Sequence, residues 1–509
     1  MNEENISGLQ TNHSQTKPKQ NMANRVAKLI FIPAPGVGHV MSTIEITKLL
    51  VSRDQRLSIT ILVIKPPNST PGSSINAYIE SLAKNTIDRI SFIELPQDEP
   101  SSTPHPNPAL FMFDEFIPSH CKHVRNVVAD MTKQPGSGQI VGFVIDMFCA
   151  CMVDVVNEFN VPTYMFFTSG AAFLGFMFHI QTLCDDMNKD VVELSKSDTE
   201  ISVPTFVKSL PTKLFWILVQ TQEGLDFVLR SVRKLRGIKG IMVNTFLELE
   251  THAVESLSTD TSVPPVYPVG PILNLEAGSS GGKKLDDEVI SWLDSQPPSS
   301  VVFLCFGSMG SFDEAQVKEI AHGLEQSGHR FLWSLRRPPS GQALLPGDYE
   351  DPSVVLPEGF MERTHEIGKV IGWAPQVVLL AHPAVGGFVS HCGWNSLLES
   401  LWFGVPLATW PMYAEQQMNA FEMVMELGLA VEITLDYKKD VFNPNANTNT
   451  VVNVTSKEIE RGIRGVMEDN EIRTKVKEMS AKSRSALAEG GSSYEYLGRL
   501  VQEFVKNIS

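Results

Sequence analysis

Residues Trp373 to Gln416 read WAPQVVLLAHPAVGGFVSHCGWNSLLESLWFGVPLATWPMYAEQ, and this run decides how the rest of the chain is read. Its apolar segments Gly387–Val389 and Pro406–Thr409 have strand length and are each followed by a turn and a helix-forming stretch. That alternation belongs to a parallel α/β layer. At Ser390-His391-Cys392-Gly393-Trp394-Asn395-Ser396 a strand end passes through a glycine turn into a helix start. The free N–H groups of such a start, with Asn395 and Ser396 beside them, suit a pyrophosphate. Trp373 offers an aromatic face to a base. Glu399 lies one helical turn beyond Asn395 and Ser396, on the same face, where it can accept from ribose hydroxyls. Glu415 and Gln416 open the next helix with a carboxylate and an amide for sugar hydroxyls. Packed as mere core, this many polar groups would need partners that an apolar interior does not supply. The run therefore reads as a nucleotide-sugar site, with Trp402, Phe403 and Trp410 as its aromatic core.

Outward from this run the same alternation continues in both directions. Strands are expected at Lys28–Pro33, Leu57–Ile64, Ile90–Ile93 and Ile140–Ile145, and again at Val301–Phe306, Phe331–Leu335 and Lys369–Ile371. Tyr164–Ile180 reads as a buried strand running into a helix, since its 17 residues include Thr168, Ser169, Gly170 and Gly175 and are short for a membrane span. Between the two series, 271–287 has linker composition. Ser311 with Glu314 reads as a capping box, as does Thr455 with Glu458, and the amphipathic helix Tyr494–Lys506 needs a surface to pack on. The expected organisation is a disordered tail (1–25), a first Rossmann-like domain (26–270), a linker (271–287), a second Rossmann-like domain (288–492) and a last helix (493–509).

Composition narrows the partners. A net charge of −16, from 42 basic and 58 acidic residues, disfavours nucleic acid and anionic membranes. A chain of 509 residues is long for one core and suits two domains. The six cysteines contain no Cys-x-x-Cys pair, so neither a zinc site nor a disulfide framework is expected. The polar N-terminus shows no secretory signal, so the expectation is a cytoplasmic protein without a membrane span.

A second glycine turn, Gly36-Val37-Gly38-His39, follows the first strand. It is not a dinucleotide fingerprint: Met41 replaces the third glycine, and the second strand runs into Lys65-Pro66-Pro67, where a ribose-binding acid would stand. What remains is His39 at the carboxyl end of a strand, where open α/β sheets bind ligands. On the residues alone, His39 is either a turn residue or a general base. Asp146, at the end of another strand, is either a helix cap or its partner.

The 44-residue run closely resembles the signature of the plant secondary-product UDP-dependent glycosyltransferases, family 1 of the glycosyltransferases. The resemblance runs from about Lys28 to the C-terminus. It implies the two-Rossmann glycosyltransferase-B fold, with the acceptor in the first domain, the UDP-sugar mainly in the second, and the last helix crossing back to the first. It implies that Trp373 stacks on uracil and Ala374 offers backbone contacts, while Gln376 and Glu399 address the base–ribose end. Ser308, His391, Asn395 and Ser396 would hold the diphosphate; Trp394, Glu415, Gln416 and Thr168 would hold the sugar. Glu415 stands where the family often has Asp, and Gln416 is the residue that accompanies glucose donors. His39 becomes the catalytic base with Asp146 as partner, and Gly38, Met147, Phe148 and Ala414 become candidates for the acceptor side.

The resemblance further implies inversion at the anomeric carbon without a metal, and the sequence contains no Asp-x-Asp motif. No cofactor is expected, because UDP-glucose is a co-substrate. The acceptor would be a small plant metabolite such as a flavonoid, another phenolic or a terpenoid, and the protein a monomer. Two rivals remain: a UDP-sugar epimerase on the same fold, which needs no acceptor, and a UDP-sugar-binding protein without activity, against which intact His39, Asp146 and Gln416 argue.

Overall fold

The computed structural model describes residues 26–66, 87–98, 108–133, 138–275, 286–339, 345–439 and 454–508. The expected disordered tail, most of the linker, and most of the polar segment before Thr455 lie outside these. Apolar runs flanked by turns form two parallel sheets. The first contains β1 (Ala27–Ile32), β2 (Leu57–Val63), β3 (Ile90–Glu94), β4 (Gln139–Asp146), β5 (Thr163–Phe167), β6 (Gly240–Val243) and β7 (Val266–Pro268), in the order β3-β2-β1-β4-β5-β6-β7. The second contains β8 (Val301–Cys305), β9 (Arg330–Ser334), β10 (Gly368–Ile371), β11 (Val385–Ser390), β12 (Leu407–Thr409) and β13 (Ala430–Glu432), in the order β10-β9-β8-β11-β12-β13. Each order reverses direction beside its first strand, β1 and β8, and a switch point of that kind opens a crevice at the strands' carboxyl ends. This is the two-Rossmann architecture expected from the sequence.

The helices that matter to the crevice are α1 (Val37–Arg53), α2 (Ala171–Asp185) and α3 (Gln222–Leu235) in the first half. In the second half they are α4 (Glu314–Ser327), α5 (Trp394–Phe403), α6 (Gln416–Phe421) and α7 (Ser456–Glu468), followed by α8 (Ser492–Lys506). The capping box of α7 forms as expected, Thr455 and Glu458 bonding reciprocally. That of α4 does not. Asp313 is the cap, its carboxylate accepting from the Gln316 N–H at 2.8 Å. Phe312, between Ser311 and the cap, is drawn into the core edge-on to Phe306. Ser311 is buried, and its hydroxyl is 3.2 Å from Lys439 Nζ.

Helix α8 buries Leu497, Leu500, Val501 and Phe504 against Leu29, Phe31, Val144 and Tyr164 of the first sheet. Each such side chain contributes roughly 1.5–3 kcal/mol when fully removed from water, and Arg53 of α1 adds a guanidinium 3.3 Å above the Tyr494 ring. The two halves are also joined through residues 244–250. Phe246 and Leu249 pack in one buried apolar cluster with Phe303, Trp394 and Leu397 of the second half, so the core is continuous between the halves. All six cysteines are free thiols. Among the described residues no helix is long and apolar enough to cross a membrane.

Candidate active site

His39 lies in the first turn of α1, which Gly36 opens in extended conformation. A Cβ on Gly36 would stand 3.0 Å from the His39 ring, so the turn has little room for a larger residue. Asp146 ends β4, the parallel neighbour of β1, and strand adjacency brings two residues 107 positions apart to a 2.7 Å contact between His39 Nδ1 and Asp146 Oδ2. The second oxygen, Oδ1, accepts from the Phe148 N–H at 3.0 Å. The cap and partner readings of Asp146 therefore coexist on separate oxygens. With Nδ1 donating to Asp146, the ring's Nε2 carries the lone pair that a base needs. His39 is 27% exposed and Asp146 only 2%, so the acid is sealed in while the ring edge opens to the crevice. Burial alone would lower the imidazole pKa. The charge and hydrogen bond of Asp146 outweigh it, Glu415 adds its charge from across the crevice, and the pKa rises above its ordinary value.

Thr168, expected beside the sugar, follows β5 and places its Oγ1 3.1 Å from His39 Nδ1. Phe148 meets the His39 ring edge-on at 5.5 Å and belongs to an aromatic panel: it stacks on Phe113 at 4.4 Å, which stacks on Phe227 of α3 at 5.1 Å, while Trp216 lies 6.4 Å from Phe148. Met147, expected on the acceptor side, is buried in the same core cluster as Trp216 and Phe227. Gly38 is exposed beside His39. Phe113, Phe227 and Trp216 carry no motif, and the sequence reading missed them. Their nearest signal was the aromatic-rich stretch 110–116.

The second half supplies the facing wall. His391 is buried, and Gly307 and Gly393 bracket it so tightly that a Cβ on either would fall 2.6 Å from His391 Nε2. Burial pushes its pKa down to about 4, so the ring is neutral near pH 7 and can act only as a hydrogen-bonding group. Cys392 turns through φ 61° and Gly393 caps α5. The first N–H groups of that helix have no carbonyl inside it, and they point with the positive end of its dipole toward the crevice. Ser308 lies exposed in the turn after β8. Gln376 donates to Ser396 Oγ at 2.8 Å and to Glu399 Oε2 at 2.7 Å, tying these three together. Burial lifts Glu399 to about 7 despite the Gln376 bond. Trp373 is 38% exposed, an open face at the rim, with its N–H held by Asp348 at 2.8 Å; Ala374 beside it is buried.

Trp394, expected beside the sugar, begins α5. Its indole does not line the crevice: Nε1 donates to the Asn244 carbonyl at 2.7 Å, and the ring packs so closely on Gly170 that a Cβ there would come within 2.8 Å. Only its backbone N–H, at the start of α5, is placed to meet a sugar. Ala414 turns through φ 57° to bring up Glu415, whose Oε1 accepts from Ser169 Oγ at 3.0 Å. Gln416 Oε1 accepts from the Met412 and Tyr413 N–H groups at 2.9 and 3.0 Å. Asn395 Oδ1 receives Ser42 and Asn244 from the first half. Asn244 is a further participant that the sequence reading did not name.

Comparison with known proteins agrees in sequence and structure. The model of the UDP-glucoronosyl and UDP-glucosyl transferase family matches residues 252–470. A UDP-glucose flavonoid 3-O-glucosyltransferase from Fragaria ananassa is 54% identical over 489 residues, 94% of this chain and 99% of the relative. A transferase from Siraitia grosvenorii in complex with UDP is 44% identical with a TM-score of 0.80, covering 94% of this chain and 99% of its own. A Medicago truncatula structure complexed with UDP-glucose is 38% identical with a TM-score of 0.80, covering 94% and 98%.

Proposed function

The chain belongs to the family of UDP-glucoronosyl and UDP-glucosyl transferases, and from that premise we propose that it transfers glucose from UDP-glucose to a hydroxyl of a small plant metabolite, by inversion. The observation that carries this reading is the His39–Asp146 pair, with Nε2 open to the crevice and Glu415 facing it from the other domain. The acceptor oxygen forms its bond to the anomeric carbon as the bond from that carbon to the β-phosphate oxygen breaks. His39 Nε2 takes the hydroxyl proton, and Asp146 stabilises the imidazolium that results. UDP departs with an added negative charge, which the N-terminus of α5 and the amide of Asn395 stabilise.

The aromatic panel beside His39 favours a planar acceptor, because offset-stacked and edge-on ring contacts add to burial. A phenolic such as a flavonoid fits that wall better than an aliphatic alcohol. Gln416 supports glucose as the sugar. The protein would act in the cytoplasm as a monomer, without a metal or other cofactor.

The test is incubation with UDP-glucose and a mixed panel of phenolic and terpenoid acceptors, followed by mass spectrometry. The expected result is a hexose added to at least one phenol, with UDP-glucose outperforming UDP-galactose and UDP-glucuronate in kcat/KM. UDP-galactose formed without any acceptor would instead identify an epimerase. UDP binding without turnover on any acceptor would identify a binding protein.

A further inference from the structure

We infer that Asn244, a residue of the first domain, is a positioning residue for the donor site, because it sets which end of the Asn395 amide faces the UDP-sugar. The inference rests on the reading above, in which Asn395 addresses the diphosphate. Asn244 follows β6 and is fully buried. Its Oδ1 accepts from the Ile272 N–H at 2.7 Å. A backbone N–H can only donate, so this bond fixes the Asn244 side chain with its oxygen on Ile272 and its NH2 on the other side. That NH2 lies 3.3 Å from Asn395 Oδ1, and an NH2 can only donate, so Asn395 must present its oxygen there. Ser42 Oγ, on α1 three residues after His39, approaches the same oxygen at 3.4 Å. With its oxygen held by two groups of the first domain, Asn395 turns its own NH2 toward Gly38, where a Cβ would stand 3.4 Å from Nδ2. Among the described residues no hydrogen bond takes that NH2, which leaves it for an anionic ligand in the crevice.

The relay is built for close approach. A Cβ on Gly270 would fall 2.7 Å from Asn244 Oδ1, so glycine is needed for the Ile272 bond to form. The Asn244 carbonyl meanwhile takes the Trp394 indole at 2.7 Å. One residue of the acceptor domain therefore anchors the first two residues of α5. An unanchored amide would rotate, and half of its orientations would point a carbonyl oxygen at the diphosphate.

Asn244→Ala removes the donor that fixes Asn395 but keeps the backbone carbonyl for Trp394. Asn244→Asp keeps the Ile272 bond and, once ionised, presents only acceptors to Asn395, turning its NH2 away from the crevice. By calorimetry at pH 8, the dissociation constant for UDP is expected to rise about threefold in Asn244→Ala. In Asn244→Asp it should rise about tenfold, the scale of a lost hydrogen bond to a charged group. Acceptor KM should stay close to wild type, while the melting temperature should fall, because Asn244→Ala strands the buried Ile272 N–H and Asn244→Asp buries a charge. Affinity is therefore read on protein shown by circular dichroism to be folded, and neither substitution should weaken binding further when added to Asn395→Ala. Additive weakening in that double mutant, or a loss of activity that tracks melting temperature with UDP binding intact, would overturn the inference. If Asn395→Ala itself weakens UDP binding while both Asn244 variants bind normally, the positioning role alone has failed. If Asn395→Ala binds UDP like wild type, the donor-site reading of Asn395 has failed, and the inference with it.

Discussion

The two walls of the crevice are made in different ways. On the donor side, Trp373, Gln376, His391, Asn395, Ser396, Glu399, Glu415 and Gln416 come from one run of 44 residues, and several are bonded to each other, as Gln376 is to Ser396 and Glu399. On the first-domain side, His39, Phe113, Asp146, Thr168, Trp216 and Phe227 come from six places across nearly 190 positions, with Trp216 and Phe227 buried in the core behind Phe148. Only His39, Asp146 and Thr168 are joined by polar contacts; the rest meet as rings. A wall that grips an unchanging diphosphate and base can be written locally and held rigid by hydrogen bonds. A wall of packed rings discriminates by shape, and rings can be exchanged without disturbing the chemistry. The comparison teaches that loss of a polar group should cost this protein more than loss of a ring, on either side.

The largest effect is expected at His39. His39→Ala should lower kcat/KM by roughly 10²–10⁴-fold, with circular dichroism unchanged. The loss should shrink across phenols of rising acidity, because an acceptor that ionises unaided needs no base. A ratio to wild type that stays flat across the series would remove His39 from that role. The pH profile sharpens the point. A base must be unprotonated, and Asp146 holds the His39 pKa above its ordinary value, so kcat/KM should fall as pH drops through that raised pKa. Asp146→Asn should move this acid limb to lower pH while also reducing the plateau rate. An unmoved limb would assign it to another group.

On the donor wall the sharpest probe is Glu399, which burial places near 7. On the proposed reading its carboxylate would accept from ribose hydroxyls; protonated, it would lose part of that capacity. KM for UDP-glucose should therefore improve as pH rises through about 7, and Glu399→Gln should flatten the dependence while raising KM about tenfold. His391, at about 4, does not titrate in this window. A pH-independent KM in wild type would contradict the assignment.

The ring panel should yield less. Phe113→Leu removes the 4.4 Å stack on Phe148 but keeps an apolar side chain, so KM for flat phenols should rise only several-fold, consistent with about 0.5–1.5 kcal/mol for an aromatic pair. KM for UDP-glucose should not move. A donor-side effect would mean that the panel props the crevice open and does not grip the acceptor.

The same division decides what was legible from sequence. The strands from Ala27 to Val63 and the whole donor run could be read because their signals are local: apolar runs, turn residues, helix starts. Gly240–Val243, Val266–Pro268 and Ala430–Glu432 were not anticipated, since three or four residues show no period and join a sheet only because a neighbour is already there. Which part of Trp394 faces the crevice could not be read for a related reason. A tryptophan at a helix start reads the same whether its indole meets a sugar or the carbonyl of a residue 150 positions away. The aromatic panel depends wholly on tertiary placement. The cap at Asp313 was legible in principle, but two overlapping patterns stand there, and the sequence alone does not choose between them.

The smallest expected effect tests whether the donor wall is complete in itself. The leaving diphosphate needs positive potential, and a metal-dependent enzyme would obtain it from an ion held by acidic residues. On the proposed reading the groups that would supply it are the N-terminus of α5, capped by Gly393, and the Asn395 NH2 turned toward Gly38. A helix N-terminus carries about half an elementary charge and is fixed before the reaction begins, so it needs no reorganisation as charge develops. The acids nearby are occupied otherwise: Glu399 is bonded to Gln376 and Glu415 to Ser169. Excess EDTA should then change kcat by no more than about twofold, the residue of weak ion effects on free UDP. Near-total loss, restored by manganese or magnesium, would mean that α5 and Asn395 do not suffice and that the two walls share a cation.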